Sequence, residues 1–318
     1  MLLLAILAGL SAGAKPLSPA SVLDALAGRG SEEARIIVRE LRLPRALLGL
    51  LVGAALGLSG AIIQSATRNP LGDPGLMGVN AGASLAVVLG AGVFGMTGIG
   101  SLIWLAALGA GLAALAVYFV AGMGTKDASP LQLTLAGVAV GALCFGLAQG
   151  FALSDPERFD LVRNWRVGAL SGDARVILPA VIPALGAGLI LAAFLAPRLN
   201  LMALGADRAA SLGVSVARTQ GLCLLTVILL AGGATAAAGP IAFVGLAAPH
   251  MVRRLLGADE RQILANAALI GAALLIGADA LGRSLAAPAE VPAGVVTALV
   301  GAPILLVLAR LKWGRVTA

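Results

Sequence analysis

The chain has 318 residues, of which 59% are hydrophobic and only 12% charged, with a mean hydropathy of +1.00. That balance excludes a soluble domain, which needs a polar surface, and describes a polytopic membrane protein. The net charge of +7 does not indicate nucleic acid, because the basic residues are scattered between apolar spans and form no patch interleaved with aromatics.

From the N-terminus, Met1 to Ala14 is apolar but short, rising about 21 Å against a hydrocarbon core of roughly 30 Å. It lacks the basic n-region of a signal peptide, and we read it as a first span. Lys15 to Arg45 is a polar loop with an amphipathic run near Glu32 to Leu43. Apolar stretches follow near 44–66, 76–97, 101–123, 131–153, 177–196, 219–238, 241–256, 263–285 and 292–311. Most are long enough to span, which predicts an all-α membrane protein of about ten transmembrane helices. Gly49, Gly53 and Gly57 recur at the four-residue spacing that lets helix backbones approach closely in lipid.

The one long polar insert, Pro197 to Thr219, divides a single domain over 1–318 into a first half at about 44–153 and a second at about 219–311. Within it Gly205 and Gly213 bracket Ala206 to Leu212, a pattern that predicts a short helix outside the bilayer. Asp207, Arg208 and Ser211 form its polar side. Leu204, Ala209, Ala210 and Leu212 form an apolar ridge suited to a partner protein, with an ordinary surface loop as the alternative.

The halves echo one another in inverted orientation. GAIIQSATRNPLGDPGLMGVNAGAS after the second span and AGGATAAAGPIAFVGLAAPH at the eighth both set Pro and Gly among small residues, where a helix would be interrupted. Paired broken segments in opposite-facing halves point to a translocation pathway. In the first of them Asn69, Pro70, Gly72, Pro74 and Gly75 make a rigid turn, whose plain reading is a connecting loop.

With the insert in the cytoplasm, Lys and Arg divide evenly between the two faces, while net charge favours that orientation. Parity over eight spans places Arg42, Arg45 and Arg283 on one face. The insert, Arg253, Arg254, Arg310, Lys312 and Arg315 fall on the other. Asp279 and Arg283 stand four apart on the ninth helix, a spacing that lets them pair on one face, and we read them as a structural pair at the interface. His250, the sole histidine, reads as a local hydrogen-bonding residue with no metal-ligand set around it. Cys144 and Cys223 lie inside apolar spans as packing residues. None of the three lysines sits in a P-loop. No metal or cofactor is expected, and any ATP must be hydrolysed by another subunit.

Several motifs in order carry a resemblance. They are RLPRALLGLLVGAALGLSGAIIQSATRNPLGDPGLMGVNAGAS, LAG at 135–137, WRVGALSG from Trp165, ALGADRAASLGV, GPIAFVGLAAPHMVRRLLG, the ADALGR run ending at Arg283, and EVPAGVVTALVGAPILL. In these the sequence resembles the permease family of ABC importers for ferric siderophores, haem and vitamin B12. The likeness spans nearly everything after about residue 35. It departs in the short first span and at Ala169, where the family more often has Ser.

The resemblance implies a homodimer of ten-helix subunits around a central pathway, two ATPase subunits, a periplasmic substrate-binding protein and the bacterial inner membrane. It implies that the insert is the coupling element for the ATPase, through Leu204, Gly205, Asp207, Ala209, Leu212 and Gly213. A gate before the fifth span maps to Ser129, Pro130 and Leu131. The turn from Asn69 to Gly75 orders the pathway's inner end and contacts the ATPase. Arg42, Arg45 and Arg283 receive carboxylates from the two lobes of the binding protein, as bidentate pairing and charge-guided docking would favour. Anchoring of helix ends at the lipid interface is their other reading. The function implied is a permease without enzymatic activity that brings an iron siderophore, or a related chelate such as haem or cobalamin, into the cytoplasm. An ion-coupled secondary transporter is the alternative. It wants buried carboxylates at mid-membrane, and the sequence offers little besides Asp279.

Overall fold

The Ser31 side chain accepts the Ala34 N–H at the head of a helix, and Glu32 and Glu33 occupy its first turn, where the helix dipole favours negative charge. That helix does not stop near Leu43. In the computed structural model, which describes residues 1–122, 130–154 and 165–313, it runs from Glu32 to Thr67 without a break. The amphipathic run and the second expected span are therefore one element. Pro44 would ordinarily end a helix by clashing with the carbonyl four residues back. A π-helical stretch at Ile37–Arg42, in which the Leu43 N–H bonds to Val38 five residues back, widens the turn just ahead of it.

The helices in chain order are α1 (Leu2–Ser11), α2 (Pro19–Leu26), α3 (Glu32–Thr67), α4 (Val79–Gly92), α5 (Ile99–Val120) and α6 (Pro130–Ser154). They continue as α7 (Ala174–Ala203), α8 (Ala206–Ser211), α9 (Val216–Ala238), α10 (Val244–Leu256), α11 (Glu260–Leu285) and α12 (Ala293–Trp313). No strand occurs among the described residues. Among the described residues six helices are long and apolar enough to cross a membrane, namely α3, α5, α6 over Leu131–Leu153, α7, α9 and α11. α1, α4 and α12 over Ala293–Pro303 are apolar but shorter.

Two boundaries differ from the sequence expectation. The stretch near 76–97 contracts to α4, because Pro74–Met77 forms a 3-10 turn that Gly78 closes at φ 73°. The central insert begins at Leu204 rather than Pro197, because α7 continues for 30 residues through Pro179, Pro183 and Pro197. Each internal proline removes one backbone hydrogen bond, a loss that packing against neighbouring helices offsets.

The core forms around α3, whose Leu48, Val52 and Ile62 are fully buried with Ile263 and Leu275 of α11. Its small-residue stripe is the contact surface. A Cβ placed on Gly53 would land within 3.0 Å of the Gly271 backbone, one on Gly57 that close to Ala267, and one on Gly60 that close to Gly245 of α10. Such approach brings dispersion contacts that lipid cannot replace. A second, smaller cluster of Leu10, Val22, Ala25, Ala34 and Val38 holds α1 and α2 against the head of α3.

Candidate functional site: two charged clusters one bilayer apart

α3 and α11 run antiparallel, and each carries charge at both ends of its apolar stretch. Arg45 and Ser65 are 20 residues apart on α3, a rise of about 30 Å, which equals the hydrocarbon thickness of a bilayer. Each meets a partner on α11, Asp279 at one end and Glu260 at the other. The two clusters stand about one hydrocarbon thickness apart along α3.

At the first face Asp279 is buried between two arginines. Arg45 donates to it from Nε at 3.1 Å and from Nη2 at 2.7 Å, and Arg283 donates from Nε at 3.0 Å. The predicted i, i+4 pairing of Asp279 with Arg283 is thus present. The remaining Arg283 nitrogens donate to the Gly9 and Ala12 carbonyls, each at 2.7 Å. Arg42 donates to Leu10 at 2.8 Å, Ser11 at 3.0 Å and Lys15 at 2.6 Å. Together the two guanidinium groups satisfy the last carbonyls of α1, which a helix end leaves without partners, and sit at the negative end of its dipole.

For the arginines expected to receive a partner's carboxylates, this arrangement matters. Arg42 and Arg283 are 7% and 6% exposed and are committed to their own chain. Arg45 also pairs with Glu290 at 2.9 Å, and that glutamate is 42% exposed. Around them lies a cavity of about 810 Å³ whose rim includes Arg42, Arg45, Arg175, Arg283, Glu40 and Glu290. Arg175 and Glu40 pair across its exposed edge.

At the opposite face Glu260 is buried. Its Oε1 accepts from Arg253 Nη1 at 2.8 Å, and its Oε2 lies 2.6 Å from the Ser65 hydroxyl. Arg253 Nη2 donates to that same hydroxyl at 2.8 Å. Asn200 near the end of α7 accepts the Glu260 N–H at 2.8 Å and donates to Asp259 at 2.9 Å. The hydrogen bond from Asn200, followed by the one from the Arg261 backbone, holds the Asp259 carboxyl below its ordinary value. Arg68, in the left-handed conformation that ends α3, donates to the Met202 carbonyl at 2.6 Å. The ends of α3, α7 and α10 and the start of α11 are so joined at one point. Sequence reasoning did not identify this cluster. Its one signal was the run of charge from Arg253 to Arg261 between two apolar stretches.

The two interrupted segments meet between these clusters. Breaks fall at residues 68–78, between α3 and α4, and at 239–243, between α9 and α10, where the sequence placed them. Gln64 of α3 donates to Gly72 in the first break at 3.2 Å and to Leu246 beyond the second at 3.4 Å. Thr235 at the end of α9 donates to Asn80 at the start of α4 at 3.0 Å. Within the first break Asn69 accepts the Leu71 N–H and Asp73 accepts the Gly75 N–H, which fixes the Asn69, Pro70, Gly72, Pro74 and Gly75 turn. Burial pushes the Asp73 carboxyl up.

α8 forms over Ala206–Ser211 with both flanking glycines in positive φ, Gly205 at 117° and Gly213 at 85°. Gly213 bonds back to Ala210 and Val214 to Ala209, a Schellman closure that only glycine at the left-handed position accommodates easily. The expected apolar ridge divides. Ala209 is fully buried against its own chain, whereas Leu204 and Leu212 are 52% and 58% exposed and Asp207 points to solvent. Of the expected gate, Pro130 opens α6, Leu131 is exposed, and Ser129 lies outside the described residues. Cys223 is buried and Cys144 is partly buried.

A model of the FecCD transport family matches residues 1–311 of the chain. The ferric enterobactin transport system permease protein FepD of Escherichia coli (strain K12) is 46% identical over 313 residues, which cover 98% of this chain and 93% of that protein. The iron(3+)-hydroxamate import system permease protein FhuG of Bacillus subtilis (strain 168) is 37% identical, over 94% of this chain and 91% of its own. Among solved structures, an ABC transporter of metal-chelate type in an inward-facing conformation superposes with a TM-score of 0.82 at 29% identity, over 97% of this chain and 95% of that one.

Proposed function

The chain belongs to the FecCD transport family, a multi-pass membrane permease, and from that premise we propose that it is the membrane subunit of an ABC importer for a ferric siderophore or related metal chelate. It takes its cargo from the periplasm to the cytoplasm across the bacterial inner membrane. Two copies of ten spans each enclose the pathway, and two separate ATPase subunits supply the energy. The observation that carries this reading is α8, a short helix bracketed by Gly205 and Gly213 and flanked by the exposed Leu204 and Leu212. It follows directly on the Glu260 cluster, about 30 Å from the arginine cluster. In this arrangement α8, through Leu204, Gly205, Asp207, Ala209, Leu212 and Gly213, is where the ATPase attaches.

The other face receives the substrate-binding protein. Arg45 is its direct contact, while Arg42 and Arg283 hold the docking surface from behind through α1. The turn at Asn69 to Gly75 and the start of α6 at Ser129, Pro130 and Leu131 border the pathway's inner end. Ion coupling is disfavoured, because Asp279 and Glu260 are both paired with arginines and lie toward helix ends rather than at mid-depth, and Asp73 lies in the turn between α3 and α4, where it accepts the Gly75 N–H. Uptake into proteoliposomes tests the reading. Ferric siderophore entry is expected only with the ATPase, ATP and the binding protein together. Entry driven by an ion gradient without the ATPase would overturn it.

A further inference from the structure

The Glu260 cluster joins four helix ends where one would suffice to cap α11, and one of those ends leads directly into α8. Asn200 lies six residues before Ala206, and its amide holds both the Asp259 side chain and the Glu260 N–H. From Glu260 the connection continues through the Ser65 hydroxyl and Arg253 to the inner ends of α3 and α10. Ser65 is the junction. Its oxygen accepts from Arg253 and lies 2.6 Å from the Glu260 carboxylate and 2.8 Å from the Ala61 carbonyl. With one proton to give, it serves the carboxylate best, since a charge-assisted bond is the stronger.

Such a cluster is costly to build for stability alone. A buried ion pair recovers its desolvation only when geometry is good and every remaining polar atom is satisfied. Here the Glu260 carboxylate, the Arg253 fork and the Ser65 hydroxyl satisfy one another, and the Asn200 amide bonds the Asp259 side chain and the Glu260 N–H, which joins four elements in one polar network. α3 in turn carries Gln64, which donates into the first break at Gly72 and to Leu246 of α10, just beyond the second.

We propose that Asn200, Glu260, Arg253 and Ser65 form a positioning relay that makes α8 and the inner ends of α3, α10 and α11 move as one body, so that displacement of α8 reaches the two breaks. This rests on α8 being the site of ATPase attachment. None of the four touches cargo or nucleotide; they act through the helices they join.

The test uses the complete transporter in proteoliposomes and reads cargo moved per ATP hydrolysed. Melting of the purified permease and co-purification of the ATPase serve as controls. Ser65→Ala and Asn200→Ala each remove hydrogen bonds without leaving a new charge, and both are expected to retain the ATPase. Each should lower cargo per ATP about tenfold, the scale on which mutations along packed polar networks alter coupling between sites. Ser65→Thr keeps the hydroxyl and should restore the ratio. A structural role alone would shift melting and leave the ratio in place, so an unchanged ratio in both alanine variants overturns the relay. Leu212→Asp in the same assay separates the two readings. Loss of ATPase attachment there, with an unchanged ratio in the alanine variants, overturns the relay alone. Normal attachment and transport in Leu212→Asp would remove the coupling assignment and the relay with it.

Discussion

Asp279 shows how one residue fixes several others. Its carboxylate is buried between Arg45 and Arg283, so removing its charge takes the only carboxylate from Arg283 and leaves Arg45 with Glu290 alone. Breaking a buried pair from one side costs about 3–5 kcal/mol. Asp279→Asn should therefore lower the thermal unfolding midpoint of the purified permease well beyond Glu290→Gln, which gives up only an open pair worth about 0–1 kcal/mol. Equal melting of the two variants would contradict that ranking. The pairing of Asp279 with Arg283 was legible from their four-residue spacing. The addition of Arg45, 234 residues away in sequence, was not, since local spacing carries no information on which helices become neighbours. Arg42 was misleading for a related reason. Its position at the mouth of a span suggested an outward-facing charge, but its targets are backbone carbonyls, which no side-chain pattern reveals.

At the scale of the element, the glycines of α3 separate space from propensity. Gly60→Ala would drive a methyl into the Gly245 backbone of α10, and since backbone cannot rotate aside the helices must part. Overpacking of this kind costs about 1–3 kcal/mol or more. Gly186→Ala on α7 meets nothing within 4 Å and should gain up to about 1 kcal/mol from helix propensity. Thermal unfolding of the two variants is expected to shift in opposite directions. α8 makes a different prediction, because Leu212 is exposed and contributes little to the chain's own packing. Leu212→Asp should leave melting unchanged and abolish co-purification with the ATPase, since an unpaired charge in an apolar groove costs several kcal/mol. The bracketing of α8 by Gly205 and Gly213 could be read directly, as positive φ is what glycine supplies. The continuity of α3 past Pro44 and of α7 past Pro197 could not. Proline signals a break locally, and whether a π turn or a neighbouring helix compensates is decided by tertiary packing.

For the whole molecule, two charged faces one bilayer apart set different rules for their partners. Arg45→Gln removes the most exposed of Arg42, Arg45 and Arg283 while Asp279 keeps Arg283. Docking of the binding protein is expected to weaken about tenfold at low salt and to converge with wild type at high salt, where exposed charges are screened. Affinity measured at two salt concentrations checks this, and a salt-independent loss would indicate a damaged fold instead. The all-helical, multi-pass organisation was legible because hydropathy reports membrane residence well. The Glu260 cluster was not, because its members lie on four helix ends spread between Ser65 and Glu260, and each alone resembles an ordinary residue at a membrane boundary.

The capping of α1 also sets an order of events during synthesis. Arg42 reaches the Leu10 and Ser11 carbonyls soon after they emerge, but the Ala12 carbonyl waits for Arg283, 271 residues later. At a ribosomal pace of roughly 5–20 residues per second that delay is about 15 to 50 s. Throughout it the first helix is only half fastened, and it is locked by a residue near the opposite end of the chain. Until Arg283 arrives, α1 is held by Arg42 and by the small apolar cluster of Leu10, Val22, Ala25, Ala34 and Val38 alone.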